Sequence, residues 1–263
     1  NTKNDRHYQT WWIHYYGAID VGLITPRLID QAEQRLINEG KSPQTQHHYL
    51  KFLRHRLALA QRDGQLEQSP LHRRKLATVH NMRHRFYSEE ERRELIQAMK
   101  PEWREAAELA GLTGLRWSEQ FRLTRGQIHL AEQYITLPTT KAGQPQARIL
   151  NHRAIELLKR QLDRHRSDWL YPSTEKGDYP IDYSNFRKNV WAPACVAAGI
   201  TNAKWNDWRH TFASDLTMAG HSDRTVATLL GHTTTNMVKR YAHLADAHLR
   251  QAVESVAKER KTR

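Results

Sequence analysis

A single cysteine stands in 263 residues. Cys195, within "WAPACVAAGI", has no second cysteine in this chain to pair with and cannot start a cysteine-rich metal site. Among small apolar neighbours it reads as a packed thiol of a reducing cytoplasm. No apolar run approaches the ~18 residues that a spanning helix needs, and no secretory leader is visible, so no membrane partner is expected. Internal repeats and low-complexity stretches are also missing. Negative charge is in short supply: 28 Asp and Glu face 41 Lys and Arg, and sixteen His add latent positive charge. With a pI near 10.0, the chain favours a polyanion, and without apolar anchors that polyanion is nucleic acid rather than a lipid surface. The histidines at 47, 48 and 55 show no coherent metal spacing, and no metal is expected. The chain begins with Asn1 rather than Met, as expected of a piece lacking its N-terminal part.

What is present is mostly helical pattern. Trp12, Tyr15, Tyr16 and Ile19 form a stripe at helical spacing, and Trp11 and Trp12 read as core. Thr25 and Pro26 open a second helix that Gly40 closes. A third places Leu50, Leu53, Leu57 and Ala60 on one face and His47, Lys51, Arg54 and His55 on the other, a solvated or DNA-facing surface. Periodicity then fails in "SPLHRRKLATVHNMRHRF", which reads as a basic linker. Ser88 and Glu91 form a capping box that starts the next helix. "QYITLPTTKAGQPQARIL" is the exception, a β-hairpin around an Ala-Gly turn, and "WLYP" reads as one more short strand. Four glycine-punctuated helices follow, then an amphipathic segment from Ala247 to Lys258 with Leu249, Val253 and Val256 on one face. The expected fold is mainly α with a small β-hairpin or sheet (α+β). Residues 1–70 form a helical domain, 71–84 a basic linker and 85–263 a second domain. Candidate DNA contacts are Lys51 and Arg54 on the third helix and Arg73, Arg74, Lys75, Arg83 and Arg85 in and beside the linker.

Near the C-terminus, His232, Lys239, Arg240 and His243 crowd one tyrosine, Tyr241. A phenol ionises near a pKa of about 10, so a nucleophilic tyrosine needs an electropositive pocket or a base. Phosphoryl transfer to such a side chain also needs cations on the non-bridging oxygens and an acid for the leaving oxygen. Suitable groups occur in four other places. "TGLRWSE" holds Arg116, with Glu119 one helical turn on to fix its rotamer. "TTKAG" holds Lys141, a plausible acid in a turn. "NDWRHTFA" holds Arg209 and His210, with Asn206 one turn back, and "LLGH" holds His232. Taken alone, His243 reads as a surface or packing residue.

In order and spacing these five pieces resemble the signature boxes of the tyrosine recombinases, the phage integrase family of lambda type. The resemblance covers most of the chain: residues 85 to 257 are similar to the catalytic domain, and the segment before the linker is similar, more loosely, to the helical SAM-like core-binding domain. It implies a site-specific DNA recombinase that integrates or excises a phage or mobile element. Tyr241 would form a 3′-phosphotyrosyl link, and Arg116 and Arg209 would clamp the scissile phosphate. Lys141 would be the acid for the 5′-hydroxyl, His232 would bond the phosphate, and Glu119 would support Arg116, with His210 a further supporting residue. It implies no cofactor. The implied partners are duplex DNA with inverted core sites, three further copies of the chain on that DNA (the free protein being a monomer), and accessory DNA-bending or excision factors. Asn206 stands where the family usually has His; it can bond a phosphate but cannot exchange a proton at neutral pH. Two alternatives go with the resemblance: a catalytically weakened DNA-binding protein of the same fold, and a host-type dimer-resolving recombinase.

Overall fold

The computed structural model describes residues 3–76, 85–138, 145–173 and 178–232, together with 234, 235, 238 and 241. The chain divides into two compact units, residues 1–82 and 83–263. The first holds α1 (Lys3–Tyr16), α2 (Pro26–Asn38) and α3 (Pro43–Arg62), the last two set by their N-terminal ends. Thr25 and Ser42 accept the amides of Leu28 and Thr45, and each helix then starts on a proline whose missing N–H would have been unpaired anyway. The apolar stripe of α3 is buried at Leu50, Leu53, Leu57 and Ala60. Both tryptophans of α1 are core, with indole N–H groups donating to Glu39 (3.0 Å) and to the Tyr49 carbonyl (3.1 Å). Ile19 is not part of that helix, which ends at Tyr16.

The residues just after Pro70 are not a free tether. Leu71 is buried in the core of this unit. Arg74 bridges Asp30 (2.6 Å) and Glu33, and its carbonyl accepts from Arg54. Residues 77–84 lie outside the described set.

The second unit opens with α4 (Glu89–Ala98), whose Ser88–Glu91 capping box is closed from both sides. Then come α5 (Pro101–Thr113) and the short α6 (Trp117–Gln120). The sheet has three strands rather than the two of a hairpin: β1 (Ile128–His129), β2 (Tyr134–Leu137) and β3 (Gln146–Ile149), antiparallel in that order. β1 is too short to carry an alternating pattern. "WLYP" forms no strand, only isolated bridges from Trp169 to Thr124 and from Pro172 to Pro180. After α7 (His152–Asp163), the stretch that reads as one helix from Tyr183 is broken into α8 (Tyr183–Phe186), a π turn (Arg187–Trp191) and α9 (Ala192–Ala197). Pro193 lies just past the π turn, where it has no amide to continue the α ladder. α10 (Asp207–Met218) packs on α5, and α11 (Asp223–Leu230) packs on α10. The aromatic centre of this core is Phe121, Phe186, Trp191, Trp205 and Trp208. Cys195 is at its edge, and burial pushes the thiol up to about 11. A second cluster of Ala213, Val226, Ala227, Leu230 and Val238 encloses Tyr241. The terminal segment from Ala247 to Lys258, with Lys239, Arg240 and His243, is outside the described residues.

Candidate active site

Gly114 ends α5 in the left-handed conformation (φ +60°), which a side chain at this position would strain. The turn delivers Arg116 to the start of α6 in extended conformation. There Glu119 grips it twice: one carboxylate oxygen accepts the Arg116 amide at 2.9 Å, the other its guanidinium at 2.5 Å. Burial pushes the Glu119 carboxyl up, but the bond from the Arg116 amide and the charges of Arg116 and Arg209 outweigh it, so the carboxyl sits below its ordinary range. It is a fixed anion that orients cations. The Arg116 side chain remains 40% exposed, so its far edge is open to a ligand.

Arg209 comes from the first turn of α10 and is almost fully buried. Its Nη1 donates to the Gly114 carbonyl at 2.7 Å and lies 3.7 Å from Glu119; its Nη2 donates to the Leu230 carbonyl at 2.6 Å and lies 2.9 Å from His232 Nε2. Burial, then the neighbouring Arg116 charge, drives its pKa down to about 9, opposed by Glu119 and Tyr241. It is still a cation at neutral pH. His232 follows Gly231, a left-handed residue (φ +64°) that ends α11, and the His232 amide is tied to the Ala227 carbonyl at 2.8 Å.

Tyr241 is buried with Val238, and its hydroxyl lies 2.5 Å from His210 Nδ1. His210 is the next residue after Arg209, so one turn of α10 presents a buried guanidinium and an imidazole aimed at the phenol. Asn206, one turn earlier, is exposed, yet its Oδ1 accepts the Trp117 amide at 2.9 Å. That amide is one of the unpaired donors in the first turn of α6, directly after Arg116. Asn206 therefore holds the Arg116 turn by its acceptor.

The structure thus brings Arg116, Glu119, Asn206, Arg209, His210, His232 and Tyr241 to one place. Lys141 and Arg83 lie outside the described residues. Of the remaining basic candidates, Lys51, Arg73 and Lys75 are exposed. Arg54 and Arg74 are bound within the first unit. Arg85 binds Glu91 at 2.7 Å and lies over the Tyr87 ring. Motif reasoning passed over Arg148, a buried arginine on β3 that shares the Leu230 carbonyl with Arg209. Its one signal in sequence is a charged residue at an inward position of a strand. Among the described residues no group of three or more His, Cys, Asp or Glu is arranged to hold a metal ion.

Comparison with known proteins gives this site its class. The chain matches the phage integrase family over residues 85–248, and it belongs to that family, as a tyrosine-type site-specific DNA recombinase. It is 26% identical to the integrase of Salmonella phage P22 over 283 residues, covering 94% of this chain and 72% of that protein. It is 26% identical to the tyrosine recombinase XerD of Pseudomonas aeruginosa, covering 94% and 86%. The match to the integrase of Escherichia phage P2 spans 45% of that protein. Among solved structures, the Tn1549 transposon integrase in complex with transposon right end DNA superposes with a TM-score of 0.78 at 14% identity, covering 98% of this chain and 95% of that one. A lambda integrase dimer bound to a COC′ core site gives 0.75 at 20%, covering 91% and 87%. These two likenesses establish the fold. No helix among the described residues is long and apolar enough to cross a membrane.

Proposed function

We propose that this recombinase cuts duplex DNA with Tyr241 and that His210 takes the phenolic proton. The observation that carries the proposal is the 2.5 Å contact between His210 Nδ1 and the Tyr241 hydroxyl, beside the Arg209–His232 pair. A neutral imidazole at that distance accepts the proton as the phenolate oxygen bonds to phosphorus. The bond from phosphorus to the 5′-oxygen breaks, leaving a 3′-phosphotyrosyl link. The 5′-oxygen departs with a proton, which the family resemblance assigns to Lys141. Arg116, Arg209 and His232 hold the non-bridging oxygens; two guanidinium forks suit a phosphate and stabilise the charge that grows on it. The phosphotyrosyl link keeps the energy of the broken bond, so rejoining to another 5′-hydroxyl needs no cofactor. The lapsed, DNA-binding alternative rests on Asn206; in this reading Asn206 is a positioning residue, which its bond from the Trp117 amide supports.

The substrate in this reading is duplex DNA, as the net charge of +13 favours and as the DNA-bound Tn1549 and lambda integrases support; that the DNA carries inverted core sites rests on the family resemblance. Four protomers act on two duplexes in the cytoplasm, at the nucleoid, with the terminal segment docking on a neighbour and accessory bending or excision factors setting direction. The element moved is a phage or mobile element. The test is a nicked suicide duplex run on a denaturing gel. Tyr241→Phe should give no covalent protein–DNA band while duplex affinity stays close to that of the parent. A surviving band would place the nucleophile elsewhere.

A further inference from the structure

β3 faces the opposite way from what its composition alone would favour. Side chains alternate faces along a strand, and in Gln146–Ile149 the buried position is Arg148, 2% exposed, while Ile149 points outward at 70%. A slip of one residue in pairing would bury the isoleucine and release the guanidinium. A buried charge is normally offset by a carboxylate, yet among the described residues none lies within ion-pair distance of Arg148. Its partners are neutral: Nη2 donates to the Leu230 carbonyl (2.9 Å) and to Gln146 Oε1 (2.9 Å), and Nη1 to the Ala147 carbonyl (3.3 Å).

The Leu230 carbonyl is a special acceptor. It belongs to the last residue of α11, at the negative end of the helix, and it also accepts from Arg209. Two guanidiniums from distant parts of the chain thus meet on one oxygen. The next residue, Gly231, leads into His232, which touches Arg209 in turn. A Cβ on Gly231 would collide with both terminal nitrogens of Arg148 and with Gln146 Oε1. The glycine is therefore required for the close approach of the arginine as well as for its positive φ.

We propose that Arg148 is a positioning residue for strand cleavage: by holding the Leu230 carbonyl from the sheet side, it fixes the Leu230–Gly231–His232 turn, and through it the placement of Arg209 and His232 on the scissile phosphate. This rests on the assignment of Arg209 and His232 to that phosphate. A purely structural strut would serve better as an apolar side chain, since replacing a buried charge by an apolar group of similar volume is often neutral or stabilising. The depressed pKa of Arg148, caused first by burial, agrees with a charge kept inside at a cost to stability.

The test is single-turnover cleavage of a nicked suicide duplex by Arg148→Met, alone and combined with His232→Ala, with melting temperature and half-site affinity measured beside it. Arg148→Met is expected to melt at or above the parent, to bind the half-site equally well, and to cleave roughly 10- to 100-fold more slowly, the scale set by sub-ångström misplacement of reacting groups. In the His232→Ala background the further loss should shrink markedly, because part of the path through which Arg148 acts is gone. Arg148→Lys, which keeps the charge but not the fork, should fall between parent and Met. Full-rate cleavage by a stable Arg148→Met, or an equal fold loss in both backgrounds, overturns the proposal. If the Met variant does not fold, the Lys variant carries the same cycle, and a folded Arg148→Lys with parental rate overturns it. If Arg209→Ala and His232→Ala themselves cleave at full rate, the phosphate assignment fails and this proposal with it, a result distinct from failure at Arg148 alone.

Discussion

His210 offers the sharpest test of the chemistry, because its role leaves a signature in pH. An ordinary phenol with a pKa of about 10 is ionised to roughly one part in a thousand at pH 7. Removing the group that accepts its proton therefore exposes a deficit of up to ~10³, and general-base help is commonly worth ~10²–10⁴. The nearby guanidinium of Arg209, whose charge interacts with Tyr241, stays in place in the variant. His210→Ala should thus slow single-turnover cleavage about 10²-fold at neutral pH. Each unit of pH then multiplies the phenolate by about ten, so below about pH 9, where Arg209 keeps its charge, the log rate of the variant should climb with a slope near one while the parent stays flatter, and the gap between them should narrow. His210→Gln separates proton transfer from aiming. Glutamine can hydrogen-bond the phenol at the same site but cannot take up its proton, so it should behave like alanine. The assay is accumulation of the covalent adduct on a nicked duplex across this pH range. Parallel profiles for parent and Ala variant, or parental speed in the Gln variant, would refute the base and leave His210 as a strut for the ring.

Arg116→Ala and Arg209→Ala should each slow cleavage about 10²–10³-fold, the usual loss when one preorganised donor to a charged transition state is removed. They should differ in stability: the Arg116 side chain is 40% exposed, whereas loss of Arg209 strips its donor from the Gly114 carbonyl, worth about 1–3 kcal/mol when left unsatisfied, while the Leu230 carbonyl keeps its bond from Arg148. A normal rate in either variant removes that arginine from the clamp. Asn206→Asp keeps the acceptor for the Trp117 amide but sets a carboxylate beside the phosphate, so it should melt like the parent and cleave slowly. Asn206→Ala should slow cleavage by loosening the Arg116 turn, and parental rates in both would take Asn206 out of the site. Replacing Arg73 and Lys75, both exposed, should weaken duplex binding and lower the log–log salt slope by about 0.9 for each phosphate that is no longer neutralised, as read in a salt titration. Arg74→Ala should instead lower the melting temperature of the first unit, because its charge is already held by Asp30 and Glu33. An unchanged slope in the double variant would mean that this stretch lies off the DNA.

What the sequence determined by itself was local. Thr25 and Ser88 cap the helices they precede, and glycines such as Gly114 and Gly231 close helices, because each signal acts within a few residues of its effect. The buried stripe of α3 and the Glu119 grip on Arg116 are one-turn relations and were equally legible. The family motifs, too, are short strings in order. Only the tertiary structure decided which atoms meet across long separations. It gave Asn206 the Trp117 amide, set His210 against Tyr241, brought Arg148 and Arg209 to a single carbonyl, and drew Leu71 and Arg74 into the first unit. It also turned β3 so that an arginine faces inward and an isoleucine outward, against the rule that apolar residues go inside. Helix ends are fixed by hydrogen bonds a few residues apart, so they can be read along the chain. Which donor a buried carbonyl receives depends on everything packed around it, and no window of sequence contains that.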